Sequence, residues 1–260
     1  MACRDNPHGD CGSRLLNATL LIPARNPGVQ LVDLVEECVR GGFSSVIVVD
    51  DGSDPECGSI FDRLAKHAQV RVLRHRANRG KGRALKTGMQ LFLNESASYG
   101  GIVTADADGQ HTADDVLRIA RAFTAAPHAM IIGARHFDRG VPLRSRWGNV
   151  VTRNIFRLAT GRKLTDSQSG LRAIPTAMIP QLLLLPGERY EFETAFLLHA
   201  CRLPNQPIEM PIRTVYEDGN RTSHFRPLLD SVRIYIVLLR YCISLLFGRE
   251  QASTVVMCSD

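Results

Sequence analysis

Short, uniformly apolar runs alternate along the first half of the chain with stretches whose apolar residues recur every three or four positions. "ATLLIP" (18–23), "SSVIVVDDGS" (44–53), "VRVLRH" (70–75), "GIVTAD" (101–106) and "AMIIGAR" (129–135) have the length and apolar content of buried strands. Between them, "VQLVDLVEECVR" (29–40), closed by Gly41-Gly42, has amphipathic helical spacing. "SIFDRLAKHA", "GRALKTGMQLFLN" and "ADDVLRIARAFTAA" repeat that pattern. Strands that are apolar throughout and alternate with helices predict an α/β fold, a mostly parallel sheet sandwiched by helices. In such sheets ligands bind beyond the carboxyl ends of the strands, near the point where strand order reverses. The polar residues gather there: "PARNP", "DDGS", "DADGQH" and "GARHF" each follow a predicted strand.

After Arg135 the pattern changes. "RHFDRGVPLRSRWGNVVTRNIFR" is basic, "KLTDSQSGLRAIP" reads as a turn-rich loop, and "GERYEFETAFLLHA" reads as a loop entering a helix. "QPIEMPIRTVYEDGNRTSHFRP" predicts a strand and a loop. "LLDSVRIYIVLLRYCISLLFG" follows, apolar-rich but interrupted by Asp230, Arg233 and Arg240 on one helical stripe. Two arginines argue against a membrane span and for an interfacial helix, with a core-packing helix as the alternative. The expected organisation is a loose tail at 1–14, one α/β domain at 15–227, and an amphipathic, membrane-interfacial C-terminal helix and tail at 228–260.

A hydrophobic share of 44% with 22% charged residues suits a globular domain of 260 residues. The formal charge of +6 favours an anionic partner. Nucleic acid is not the expected one, because aromatics make up 6% and none interleave with a basic stripe. The seven cysteines are scattered, odd in number and form no CxxC pair, which argues against a disulfide framework or a structural zinc site and fits a reducing cytosol. Cys3, His8 and Cys11 have no fourth metal ligand nearby.

Asp106 and Asp108, one residue apart at a predicted strand end, pose the sharpest question. Like charges so close repel unless something positive stands between them. An isolated pair of this kind is usually a polar turn capping the next helix. At a strand end beside other polar clusters it becomes a site for a hard cation such as Mg²⁺ or Mn²⁺, which takes one or two carboxylates together with substrate phosphates. Gln110 adds a neutral oxygen. Asp50 and Asp51 end another strand, where a carboxylate accepts hydrogen bonds from a ribose or base edge; capping by Ser53 or Asp54 is the alternative. "NRGKGRALKTG" (78–88) puts glycines and Arg79, Lys81 and Arg83 at a helix opening that can offer N–H groups to phosphate, though it is neither a Walker loop nor GxGxxG. Arg135, Arg144, Arg146, Arg153, Arg172, Arg221 and Arg226 form a basic set suited to phosphate oxygens.

In order and spacing, "LIPARNP", "VVDDGS", "NRGKGRALKTG", "TADADGQH", "DSQSGLRAIP" and "YEFE" resemble the inverting GT-A glycosyltransferases of family 2. The likeness is strongest to the polyprenyl-phosphate sugar transferases related to dolichyl-phosphate mannose and glucose synthases, and runs from about Thr19 to Tyr235. It implies a GT-A fold and a metal-dependent hexosyl transfer from a nucleoside-diphosphate sugar (UDP- or GDP-linked) to a polyprenyl phosphate. By resemblance, Pro23, Arg25 and Asp51 lie against the nucleoside, Lys81 and Asp106 near the diphosphate, and Asp106, Asp108 and Gln110 around Mg²⁺ or Mn²⁺. Arg135, Arg153, Arg172 and Arg221 are the expected acceptor-phosphate residues. Asp108, Asp166 and Arg172 are the expected catalytic group. Asp166 is either a base or acceptor-positioning residue or a loop cap that orients Arg172. Glu191 and Glu193 are its alternatives, sharing a face in a strand but not in a helix. Pro27 stands where an acidic residue is common and Arg25 where an aromatic is common, which leaves the donor base open.

The processive QxxRW motif is broken, since Leu143 precedes Arg146-Trp147 in the glutamine position. A lipid-phosphate acceptor at the cytoplasmic face of a membrane is therefore expected, with the chain held peripherally or by a transmembrane partner. The rival readings are a transferase with a non-lipid acceptor, a nucleotidyltransferase, whose GxGxRxxP-type signature is missing, and an inactive nucleotide- or membrane-binding module.

Overall fold

A computed structural model describes residues 15–96, 98–135, 157, 161, 165–166, 169–203, 206–213, 235–237 and 239. Seven strands form one sheet: β1 (Thr19–Ala24), β2 (Val46–Asp50), β3 (Val70–Arg74), β4 (Gly101–Thr104), β5 (Ile131–Arg135), β6 (Arg172–Pro175) and β7 (Ile208–Ile212). Their order is β3-β2-β1-β4-β6-β5-β7. All neighbours are parallel except β6, which runs antiparallel to both β4 and β5. The described helices are α1 (Gln30–Arg40), α2 (Gly58–Leu64), α3 (Lys81–Glu95), α4 (Ala113–Ala125), α5 (Ile179–Leu183) and α6 (Tyr190–Ala200).

The doubly apolar strands serve two cores. On β1, Leu20 and Ile22 enter the layer beneath α1, α2 and α4, while Leu21 enters the layer beneath α3, α5 and α6. On β2, Val46 and Val48 join the first layer and Ile47 and Val49 the second. Each such side chain, fully buried, contributes about 1.5–3 kcal/mol. Cys38, Cys57 and Cys201 are free thiols, and burial, with Glu37 beside it, pushes the Cys38 thiol up to about 12.

Pro23 sits inside a central strand, where proline is normally excluded. The carbonyl of Leu21 accepts from Ala105 N, so it faces β4, and Pro23, two residues on, faces the same way. The β1–β4 ladder has already ended at Leu21 and Thr104. No ladder bond is therefore lost, and the gap past this point is the mouth of the crevice at the switch between β1 and β4.

The segment expected to be a loop at "KLTDSQSGLRAIP" instead contributes β6, a fully buried strand in the middle of the sheet. Its four residues carry an arginine at one end and a proline at the other, so no local periodicity marks it. It exists through its pairing, Gly101 with Pro175 and Thr104 with Arg172. Because β6 is antiparallel, its first residue lies at the carboxyl edge of β4. The C-terminal helix expected at 228–260 is described only at 235–237 and 239, which are helical. Asp230, Arg233 and Arg240 lie outside the described residues, and among the described residues no helix is long and apolar enough to cross a membrane.

Candidate active site

The edge formed by the carboxyl ends of β1, β2 and β4 is built by bonds between loops. Asn26, in a left-handed conformation after β1, donates its backbone N–H to Ser53 Oγ, and its side chain exchanges two hydrogen bonds with Asp54 (2.7 and 2.8 Å). Neither Ser53 nor Asp54 caps a helix through its side chain. Asp50 instead accepts from Ser53 N at 2.8 Å and shapes the turn.

Asp51 is buried and organises the neighbouring loop. One oxygen accepts from His75 Nδ1 and Arg79 N, both at 2.8 Å, and the other from Gly80 N at 2.7 Å. His75 Nε2 reaches Thr87 Oγ1 at 3.0 Å, which ties the loop to α3. Much of the α3 opening is thereby occupied: Arg83 N donates to Glu188 O, and the Arg83 side chain pairs with the Glu188 carboxylate. The free N–H groups expected for a phosphate are thus largely engaged within the protein. Gly80, at φ 106°, is irreplaceable for another reason, since a side chain there would strike Glu188 O at 2.4 Å. Arg25 follows β1 and Pro23 lies within it, so both border the same mouth.

Asp106 and Asp108 follow β4. Neither caps α4, whose first turn is capped by Thr112 (Asp115 N to Oγ1, 3.2 Å). Asp108 accepts from Gln110 N at 3.1 Å across a turn that Gly109 makes possible at φ 81°. Asp106 faces the crevice, 2.7 Å from Lys81 Nζ and 3.5 Å from His111 Nε2. Lys81 also contacts Glu193 Oε2 at 2.8 Å and lies over the Tyr190 ring at 5.9 Å.

The charges are strongly perturbed. Burial pulls the Lys81 ammonium down, but Asp106 and Glu193 outweigh it and hold it above the ordinary lysine range. Burial raises Asp106, yet Lys81 and His111 overcome that and leave its carboxyl well below the carboxylate range. Asp108 moves the other way, held up by burial and by its neighbour Asp106. Ionising Asp108 is thus unfavourable without an added cation, which is what two hard-oxygen donors of a metal site would show. Among the described residues no three His, Cys, Asp or Glu side chains form a closed metal cage. The donor set suits a cation that brings phosphate oxygens with it rather than one fully wrapped by protein.

The far side of the crevice is reached from β5, β6 and α6. Arg135, at the end of β5, pairs with Asp166 through Nε at 2.6 Å and Nη2 at 3.2 Å, and Asp166 is 0% exposed. Thr165 is anchored to Glu209 of β7 by bonds at 2.8 and 2.9 Å. Asp166 therefore orients Arg135, not Arg172. Arg172 is 2% exposed, donates to Ser169 O at 3.0 Å, lies over Phe196 at 5.2 Å and comes within 3.6 Å of Glu193. Glu191 and Glu193 are helical: Glu191 accepts from Glu188 N and Arg189 N at the start of α6, while Glu193 points to Lys81. Arg153 and Arg221, with Arg144, Arg146 and Arg226, lie outside the described residues.

Glu193 was a candidate in the sequence, but its pairing with Lys81 was not legible, and neither were His111 and Gly170 beside Asp106. His111 is 7% exposed and its ring nitrogens make no hydrogen bond among the described residues. Its only sequence signal is a histidine following the aspartate pair.

Residues 19–181 match the sequence model described as glycosyl transferase family 2. An uncharacterized protein of Methanocaldococcus jannaschii is 34% identical over 204 residues, covering 76% of this chain and 82% of its own. The UDP-N-acetylglucosamine–dolichyl-phosphate N-acetylglucosaminyltransferase of Methanococcus voltae is 29% identical over 217 residues, covering 76% and 86%. Among solved structures, glucosyl-3-phosphoglycerate synthase from Mycobacterium tuberculosis, crystallised with Mn²⁺, UDP and phosphoglyceric acid, superposes with a TM-score of 0.64 at 18% identity, over 87% of this chain and 78% of that one. The sheet-and-helix architecture is the one expected from sequence.

Proposed function

The chain belongs to glycosyl transferase family 2 and has a GT-A-like fold, and from that premise we propose that it moves a hexose from a nucleoside-diphosphate sugar to a polyprenyl phosphate, with inversion, at the cytoplasmic face of a membrane. The observation that carries the donor half is the meeting of Asp106, Asp108 and Lys81 at the switch between β1 and β4, where this fold class binds its ligands. The acceptor half rests on the likeness to a dolichyl-phosphate transferase and on the arginine at the end of β5.

In this reading Asp106, Asp108 and Gln110 hold Mg²⁺ or Mn²⁺, which neutralises the leaving diphosphate. Lys81 adds a positive charge beside that diphosphate. Pro23, Arg25 and the loop that Asp51 braces form the nucleoside wall. Arg135, aimed by Asp166, takes the acceptor phosphate, together with Arg153 and Arg221. A phosphate monoester, whose second pKa is about 6, is largely ionised at neutral pH and needs no strong base. Asp166, buried and doubly bonded to Arg135, therefore serves as a positioning residue. Arg172, enclosed between Phe196 and Glu193, supports the same wall from behind.

The test is transfer of labelled hexose from UDP- and GDP-hexoses to a polyprenyl phosphate in detergent with Mn²⁺. An organic-extractable product with one nucleotide series supports the proposal and names the donor base. Hydrolysis, or transfer to soluble phosphorylated acceptors alone, overturns the lipid acceptor.

A further inference from the structure

Four side chains cross the crevice in alternating charge: Arg172, Glu193, Lys81 and Asp106. Glu193 Oε1 lies 3.6 Å from Arg172, Glu193 Oε2 lies 2.8 Å from Lys81 Nζ, and that ammonium lies 2.7 Å from Asp106 Oδ1. The alternation fails only at its end, where Asp106 is followed by Asp108. Lys81, Glu193 and Asp106 are 18%, 12% and 23% exposed, so water screens these contacts weakly. Lys81 is the first residue of α3 and Glu193 lies in the first turn of α6, so neither charge sits on a free loop.

We infer that Lys81 is a resident counter-ion occupying part of the cation's place at Asp106, and that Glu193 is the positioning residue that lets it yield. The inference rests on the proposed cation site at Asp106 and Asp108. An ammonium and a divalent ion compete for the lone pairs of one carboxylate, and their charges repel. Repulsion by an arriving ion therefore drives Lys81 away from Asp106 Oδ1. With Glu193 beside it, Lys81 keeps a full carboxylate partner as it does so, and remains at the crevice where a diphosphate would lie. Without that carboxylate, Lys81 has Asp106 alone, and the ion must displace it outright. Arg172 holds Glu193 from behind, which keeps the second seat in place.

Titration with Mn²⁺ alone, and with Mn²⁺ plus UDP or GDP, read by the electron-paramagnetic signal of free Mn²⁺, tests this in four proteins. Lys81→Met is expected to bind Mn²⁺ alone about 10-fold tighter than wild type, and Glu193→Gln about 10-fold weaker, the range seen when groups behind a metal ligand are altered. A general field effect would produce the same signs, so the double variant decides. With Lys81 gone, Glu193→Gln is expected to change affinity by less than about twofold, whereas an additive loss overturns the inference. Should Glu193→Gln not fold, Lys81→Met alone carries the test, and no tightening there overturns it. Wild-type binding that is unchanged in every variant removes the roles of Lys81 and Glu193 only. Absence of Mn²⁺ binding in all four proteins, with either nucleotide, removes the cation site as well.

Discussion

Gly170 and Asp106 are in direct contact: a methyl group at position 170 would stand 2.4 Å from Asp106 Oδ2 and 2.6 Å from Oδ1. Thr104 Oγ1 fixes this approach by donating to Gly170 O at 2.7 Å. Gly170 is thus the back wall of the Asp106 carboxylate. Gly170→Ala is expected to push Asp106 out of line and lower transfer by about 100-fold, the typical effect of a misplacement near 1 Å. Steady-state rates and the unfolding midpoint, measured together, separate this from general destabilisation.

Asp108→Ala is expected to abolish transfer while leaving the fold intact, because the bond from Gln110 N to Asp108 lies within a single turn at the surface of the crevice. The pH dependence of the isostere sharpens this. The folded-state carboxyl of Asp108 is raised, so its ionised form opposes folding at neutral pH, and that penalty fades as pH falls toward the unfolded value of about 3.9. In metal-free protein, Asp108→Asn should melt above wild type at pH 7, with the gap closing by about pH 4. A constant gap across that window would contradict the raised carboxyl.

If Asp166 positions Arg135, its loss must appear in stability as well as in rate. Asp166→Ala leaves a mostly buried guanidinium without its carboxylate and is expected to cost about 3 kcal/mol in urea unfolding. Acceptor KM should rise more than donor KM. A fall in kcat at unchanged stability would instead assign Asp166 a proton-transfer role.

Asp51→Ala removes three bonds at once, from His75, Arg79 and Gly80. A loss of about 3 kcal/mol is expected, since buried donors lose a charged partner. Nucleotide affinity should fall with it, because the loop entering α3 loses its brace. Equilibrium unfolding and a nucleotide titration of the same sample check both effects.

The parts of this molecule visible in sequence are those decided by local pattern. Strands β1 to β5 and helices α1 to α4 announce themselves because each buries a continuous or periodic set of apolar residues. The aspartate pair and the basic α3 opening stood out as well, because each lies where a predicted strand or helix meets a polar loop. Strand β6 did not, because four residues beginning with Arg172 form a strand only through their partners in β4 and β5. The Lys81–Glu193 contact, the Arg135–Asp166 pair and the seat of His111 were hidden for the same reason. Each joins residues from separate elements, and no spacing rule connects them.

The Arg135–Asp166 pair also has a meaning for how such a chain diversifies. It fastens the two ends of the 135–166 span to one point on the sheet, and Thr165 to Glu209 fastens the same point to β7. The entropic cost of joining two fixed ends of a chain rises only as the logarithm of the length between them. What lies between the two ends can therefore be lengthened, shortened or exchanged with little strain on the sheet, leaving Asp106, Asp108 and Lys81 where they are. The clamp acts as a graft junction: one bonded point joins the 135–166 span to the sheet, and the residues at the carboxyl edge of β4 do not depend on it.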